Sequence, residues 1–142
     1  LKIIKKNIIS EKNYWKINAS HDGYLRKYGV VHDREIEFYP EQMKFIGRDK
    51  IIYKNKVKNL KFEIRFHLEP NVKVMKTQNN KTILIDLSGE GWKFNSENNN
   101  INIDKGLYFG KKNSYSENQN IFISGMTNGE NQTIKWELEK LQ

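Results

Sequence analysis

Residues 62–70, F-E-I-R-F-H-L-E-P, alternate strictly between apolar and polar side chains. Side chains of a β-strand point to opposite faces with a period of two, so the pattern predicts a strand with one apolar and one polar face. The apolar positions are Phe62, Ile64, Phe66 and Leu68. The polar face carries a guanidinium (Arg65) and an imidazole (His67), groups that can bind an acidic polar ligand.

Further segments show the same alternation and are rich in the β-branched and aromatic residues that favour strands. They are residues 14–19, 30–39, 43–46, 72–77, 82–87, 92–95, 101–104, 107–109, 121–124 and 133–138. Turn-forming Asn, Asp, Gly and Pro residues separate them. Many short strands with such turns predict an all-β fold, an antiparallel β-sandwich of two stacked sheets.

Two segments are less regular. Residues 111–120 are polar throughout and predict a loop. Residues 134–141 are compatible with a final helix, but their alternation favours a strand.

Length and composition indicate a single folded domain. The chain has 142 residues, of which 37% are hydrophobic and 30% charged, enough for one sizeable core. No apolar run approaches the ~20 residues that a membrane-spanning helix needs, so the sequence predicts no membrane span. Cysteine is absent, which excludes disulfides and thiolate metal ligands.

The chain is basic, with a formal net charge of +8. A basic balance is compatible with nucleic acid, an anionic membrane surface or an acidic polysaccharide as partner. The lysines are scattered along the whole chain, and since Lys, Asn and Ile all have AT-rich codons, we expect genomic base composition to account for many of them. Nucleic-acid binding favours a concentrated basic patch interleaved with aromatic residues. We therefore predict no nucleic-acid partner, and keep a basic nucleic-acid-binding domain as an alternative.

The segment His21-Asp22-Gly23-Tyr24 is the second distinctive cluster, and it has two interpretations. His21 and Tyr24 could act as base and acid, or as hydrogen-bonding partners of a sugar. Alternatively Asp22-Gly23 is simply a turn and Tyr24 packs into the sheet, which is the interpretation that the local sequence favours.

Other candidate groups have structural explanations. His32, Asp33 and Arg34 lie within one predicted strand, where Asp33 is expected to form a weak ion pair on a solvated face. The three histidines are too far apart in sequence for a local metal motif. The aromatic residues Trp92 and Phe94 share a strand face, which is more typical of a core than of a sugar-stacking site, and the same interpretation applies to Trp15 and Trp136.

Taken in order, these clusters resemble a known family. The ordered set comprises S-H-D-G-Y-L-R-K-Y-G-V-V-H-D-R at 20–34, F-I-G-R-D at 45–49, the strand at 62–70, G-E-G-W-K-F at 89–94, I-F-I-S-G at 121–125 and I-K-W-E-L at 134–138. The chain resembles the C-terminal β-domain of the heparinase II/III-like proteins, which are bacterial polysaccharide lyases and their relatives.

The resemblance implies an N-terminal helical toroid followed by an antiparallel β-sandwich. It also implies substrates that are acidic polysaccharides, such as heparan-type glycosaminoglycans or alginate, and cleavage by β-elimination. In such lyases the key base and acid lie largely on the toroid, and an H-x-H-x-D motif early in the β-domain supplies a further histidine and metal ligands. Nothing in this chain matches that motif.

We therefore expect residues 1–142 to be the distal part of such a β-domain, truncated at its N-terminal side and without the toroid. We assign no catalytic residue, no metal ligand and no cofactor to it. The predicted substrate-binding residues are His21, Tyr24, Arg65 and His67. The expected partners are an acidic polysaccharide and the N-terminal toroid of the same polypeptide, in the cell envelope or periplasm. The alternative is a non-catalytic carbohydrate-binding or interaction sandwich.

Overall fold

The computed structural model describes residues 1–55 and 59–142. Its elements in chain order are β1 (Ile3–Glu11), β2 (Tyr14–His21), the short helix α1 (Leu25–Tyr28), β3 (Val30–Tyr39), a 3₁₀ turn (Pro40–Gln42), β4 (Lys44–Tyr53), β5 (Lys61–His67), β6 (Lys73–Lys76), β7 (Thr82–Leu87), β8 (Glu90–Asn95), β9 (Ile101–Lys111), β10 (Ser114–Met126) and β11 (Gln132–Lys140).

The strands form two antiparallel sheets. The large sheet has eight strands in the order β1-β2-β3-β4-β11-β8-β7-β6, and the small sheet has three in the order β5-β10-β9. Their facing sides enclose the core, which includes Ile83, Phe94, Ile123 and Trp136. The prediction of an all-β antiparallel sandwich of two stacked sheets is confirmed.

Strand β5 shows why the alternation was informative. Ile64 is buried, and the ring of Phe66 lies 4.8 Å from Phe94 and 4.9 Å from Trp136, measured between centroids. Arg65 and His67, on the opposite face, are exposed to solvent. Burial of the large apolar side chains on one face therefore fixes which side of β5 faces the large sheet.

The small sheet covers only part of the large one. One row of paired residues crosses five strands on the core-facing side: Ile8, Ile17, Ile36, Gly47 and Trp136. Trp136 is buried beneath β5, whereas Ile17 and Ile8 are 52% and 56% exposed. The face that forms the core over β11 is thus open over β1 and β2, and β5 forms a rim between the two regions.

The structure corrects the prediction of a loop at residues 111–120. Strand β9 continues to Lys111 and β10 begins at Ser114, so most of the segment is strand. The segments 101–104 and 107–109, predicted as separate strands, form one continuous strand. This part of the β9–β10 hairpin extends beyond β5, and both of its faces are largely exposed. Polar side chains are therefore tolerated on either face, and the alternation disappears.

The ends of the chain give two further results. Residues 134–140 form strand rather than helix, as part of β11, which pairs with both β4 and β8. Strand β1 has no counterpart among the predicted strands, because every one of its residues is exposed.

Among the tryptophans, Trp92 and Trp136 are buried as expected, but Trp15 is 51% exposed, so its assignment to the core was wrong.

Candidate functional site

A cleft of about 500 Å³ opens where the rim strand β5 meets the open part of the large sheet. Its floor is formed by β3 and β4, and the other wall comes from α1 and the turn before it. The polar or aromatic side chains that line it include Tyr24, Tyr28, His32, Arg34, Asp49 and Lys61. Its size falls within the range of roughly 300–1,000 Å³ that is typical of small-ligand sites.

Asp49 organises the floor of this cleft. Its side chain is fully buried and accepts hydrogen bonds from His32 Nε2 (2.7 Å), Arg34 Nε (2.7 Å) and Trp136 Nε1 (2.8 Å). Burial alone would raise the pKa of this carboxyl group, but these hydrogen bonds and the charge of Arg34 hold the pKa of Asp49 below its ordinary value. A buried carboxylate with three donors is therefore a stable anion.

The hydrogen bonds of His21 and His32 fix both ring tautomers. The Gly23 N–H donates to His21 Nδ1 (3.2 Å), so this nitrogen must be an acceptor and the proton of a neutral His21 must lie on Nε2. His21 Nε2 then donates to His32 Nδ1 (3.2 Å), and His32 Nε2 donates to Asp49. Burial, together with the neighbouring His32, holds the pKa of His21 below its usual value. All four ring nitrogens are thus hydrogen-bonded, so the two histidines support Asp49 and are not ready proton acceptors.

The Arg34 side chain is bound to Asp49 and extends into the cleft. Its Nε is bound to Asp49, its Cζ lies 5.7 Å from the centroid of the Phe66 ring, and its side chain is 35% exposed. Among the described residues, no side chain or backbone group bonds its two terminal nitrogens. These four N–H groups are therefore available to a ligand in the cleft.

The predicted site residues are only partly brought together. His21 lies behind His32, and Tyr24 lines the cleft with its ring centroid 5.4 Å from that of His21. Tyr24 is 48% exposed, so it does not pack into the sheet. Arg65 also lines the cleft, from the rim, where Glu63 (2.7 Å) and Asp104 (2.9 Å) pair with its guanidinium.

His67 lies apart from this cluster. It is not among the residues that line the cleft, and its Nδ1 is 3.0 Å from Asn120 Oδ1 on β10. The substrate-binding role of the four predicted residues remains a prediction.

The sequence interpretation missed His32, Arg34 and Asp49. The expectation that Asp33 forms a weak ion pair on a solvated face was wrong, because Asp33 is buried and its carboxylate accepts a hydrogen bond from Asn18. His32 and Arg34 lie on the opposite face, where both bond to buried Asp49. The register of the β3–β4 hairpin could have predicted that Arg34 and Asp49 meet. Once Tyr39 is set opposite Lys44, the same pairing places Arg34 opposite Asp49.

The opposite face of the large sheet has a different character. Ion pairs join neighbouring strands there, including Lys16 with Glu35 (2.9 Å) and Arg48 with both Glu35 and Glu37. The Glu37 carboxylate also accepts a hydrogen bond from Tyr14 (2.8 Å), and burial together with this bond raises the pKa of the Tyr14 hydroxyl to about 12. Arg48 on this face is paired with carboxylates through a terminal nitrogen, whereas the terminal nitrogens of Arg34 in the cleft have no partner among the described residues.

Two features are absent from residues 1–55 and 59–142. No cluster of three or more His, Asp or Glu side chains in these ranges is arranged to hold a metal ion. No helix in them has the length and apolar character needed to cross a membrane. The described residues therefore offer no ligand set for the metal that the resemblance implies.

The fold and cleft define a class of protein: an all-β sandwich domain with a polar cleft at the edge of its smaller sheet. Residues 3–137 match the family model described as "Heparinase II/III-like, C-terminal". The chain therefore belongs to this family, and the resemblance identified from the sequence is confirmed. No curated protein sequence matches the chain.

Solved structures share the fold at low sequence identity. The chain matches heparan sulfate lyase HepC from Pedobacter heparinus with a TM-score of 0.83, 12% identity and 99% of this chain covered. It matches heparinase III, the BT4657 gene product, with a TM-score of 0.75, 13% identity and 98% coverage. The chain spans about one fifth of these proteins, 22% and 21% of their respective lengths.

Proposed function

We propose that this chain is the β-domain of a polysaccharide lyase that cleaves acidic, uronate-containing polysaccharides by β-elimination. In this proposal the segment binds and positions substrate and does not supply the catalytic base. The observation that carries the proposal is the family match over residues 3–137. The names of the similar structures, a heparan sulfate lyase and a heparinase III, support the same substrate class.

The chemistry of β-elimination explains what such a domain would contribute. A base removes the proton α to the uronate carboxyl group, and an acid protonates the departing glycosidic oxygen. Because that proton is only weakly acidic, the carboxylate must be neutralised and the enolate-like intermediate stabilised by fixed positive charge and hydrogen-bond donors. The cleft offers such groups in Arg34 and Lys61, whereas the ring nitrogens of His21 and His32 are all engaged.

The predicted binding residues enter this proposal with different support. Tyr24 lines the cleft and presents a ring and a hydroxyl to it, and His21 supports the floor through His32. Arg65 is on the rim, and it would exchange a contact with Glu63 or Asp104 for a substrate carboxylate. His67 would contact only substrate that extends beyond the cleft.

The proposal includes a partner domain and a location. We expect the N-terminal toroid of the same polypeptide to pack near the cleft. The exposed apolar side chains of Ile8, Trp15 and Ile17 on the cleft side of the large sheet are consistent with a protein partner there. A location in the cell envelope or periplasm follows from the family resemblance alone.

A lyase assay on the complete product of the gene that encodes this chain tests the proposal. Each β-elimination creates an unsaturated uronate that absorbs in the ultraviolet, so product is followed directly with heparin, heparan sulfate, chondroitin, hyaluronan and alginate. We expect absorbance to rise with at least one of them. A folded protein that is silent with all five substrates, yet binds one of them, would support the non-catalytic carbohydrate-binding alternative.

The same preparation separates the nucleic-acid alternative. An affinity for DNA that is independent of sequence, falls steeply with salt and exceeds the affinity for every acidic glycan would favour a nucleic-acid-binding domain.

A further inference from the structure

We propose that Arg34 is the residue of the cleft that binds the anionic substituent, carboxylate or sulfate, of an acidic sugar. The inference rests on the proposed substrate class, and it adds the residue and the chemical group that it recognises. The observation behind it is a guanidinium whose inner nitrogen is bound to buried Asp49 while its two terminal nitrogens have no partner among the described residues.

The geometry suits an oxyanion. Arginine binds carboxylate or sulfate oxygens through paired N–H groups in a planar fork, and the two terminal nitrogens of Arg34 provide such a pair. Asp49 binds the Nε edge of the guanidinium, and the guanidinium carbon lies 5.7 Å from the centroid of the Phe66 ring. Most of the side-chain entropy that binding would otherwise cost is therefore already lost in the free protein, which favours affinity.

Residues on several strands hold Asp49, the partner of Arg34, in place. Asp49 on β4 is bonded by Trp136 on β11 and by His32 on β3, and His32 is bonded by His21 on β2. Four adjacent strands of the large sheet thus determine where the guanidinium lies. Such multiple support is typical of a binding group placed on a rigid scaffold.

The surroundings favour a sugar that carries negative charge. Across the cleft, Lys61 has no carboxylate partner among the described residues, while Glu63 is already paired with Arg65. On the helix side, Tyr24 and Tyr28 lie with ring centroids 6.3 Å apart, and neither hydroxyl has a partner among the residues described. Aromatic faces and free hydroxyls next to an arginine and a lysine match a sugar ring with an acidic substituent.

The test is a binding titration of the ¹⁵N-labelled chain followed by backbone amide shifts. The three probes are methyl glucuronide, N-acetylglucosamine 6-sulfate and the uncharged methyl glucoside, so carboxylate and sulfate recognition are distinguished. The first variant combines Arg34→Gln with Asp49→Asn, which removes both charges and leaves no buried carboxylate unpaired. The second, Arg34→Lys, keeps the charge but removes the fork. Arg48→Gln is the control, because Arg48 is also paired with carboxylates and similarly exposed but lies on the opposite face of the sheet.

We expect the wild type to bind at least one anionic probe more tightly than methyl glucoside. The double variant should bind that probe about tenfold more weakly, and Arg34→Lys several-fold more weakly, as for loss of a bidentate charged hydrogen bond. Arg48→Gln should bind within about twofold of wild type, since charges on the far face are screened by solvent. If the double variant does not fold, Arg34→Lys decides.

The proposal is overturned if the folded variants bind the anionic probes as the wild type does, or if the wild type shows no preference for an anionic probe. These results are separable from the lyase assay. Lyase activity with Arg34-independent binding would leave the proposed function intact and remove this inference. Arg34-dependent binding without product from any polysaccharide would support this inference and count against the proposed lyase activity.

Discussion

Replacing Asp49 with alanine is expected to lower the free energy of unfolding by about 3–5 kcal/mol. The substitution removes the single acceptor of three donors, so His32 Nε2, Arg34 Nε and Trp136 Nε1 lose their partner together. A half-buried guanidinium without its carboxylate and a buried indole N–H without an acceptor both add to the cost. Since domains of this size are stable by only about 5–15 kcal/mol, the loss should be visible in urea denaturation and in the melting temperature.

The matched control for Asp49 is Glu90→Gln. Glu90 pairs with Lys140 (2.8 Å) on the exposed surface, so the same removal of one carboxylate charge should leave the urea midpoint unchanged within error. Equal midpoints for Asp49→Ala and Glu90→Gln would show that the buried network does not support the fold.

Replacing Gly47 with alanine is expected to cost about 3 kcal/mol or more, although only a methyl group is added. A Cβ at this position would lie 2.0 Å from two ring atoms of Trp136, well inside van der Waals contact. The indole would have to move away from Phe66 and Phe94, against which it packs, and its hydrogen bond to Asp49 would break. Urea denaturation measures the cost, and the indole N–H resonance of Trp136 reports whether the ring has moved.

Gly91→Ala is the control for this substitution. Gly91 also lies in a strand of the large sheet, but its added Cβ would meet only Leu141 at 3.4 Å, an ordinary contact. We expect its stability to be unchanged or slightly raised, because alanine restricts the unfolded chain. A Gly47→Ala protein as stable as Gly91→Ala, with the Trp136 indole resonance in place, would contradict the packing of Trp136 on Gly47.

The parts of the fold that the sequence predicted are those where one face of a strand is buried. In β5 the burial of Ile64 and Phe66 requires strict alternation, and the pattern follows directly from that requirement. Strand β1 and the distal β9–β10 hairpin lack such a face, since their side chains are exposed on both sides. Their pairing is fixed by backbone hydrogen bonds and by turns, and neither leaves a periodic signal in the side chains.

The site was harder to predict than the fold for a related reason. Arg34 and Asp49 lie 15 positions apart and meet only through the register of β3 with β4. Local sequence placed Arg34 in a run of polar residues that resembles a solvated strand face. Arg65, in contrast, stood out in an alternating strand, but its guanidinium is already shared by Glu63 and Asp104. The alternating pattern around Arg65 identified a strand. Whether an arginine has hydrogen-bond donors free for a ligand depends instead on the residues that neighbouring strands place beside it.

The cleft as the place where an acidic sugar binds is the central claim, and a chemical-shift map tests it most directly. The labelled chain would be titrated with an acidic, glucuronate-containing tetrasaccharide, and the amides that shift would be placed on the structure. We predict that the largest shifts surround Tyr24, Arg34 and Lys61. Shifts confined to the ion-paired face around Arg48, or to the hairpin tip around Phe109 and Tyr115, would contradict the claim.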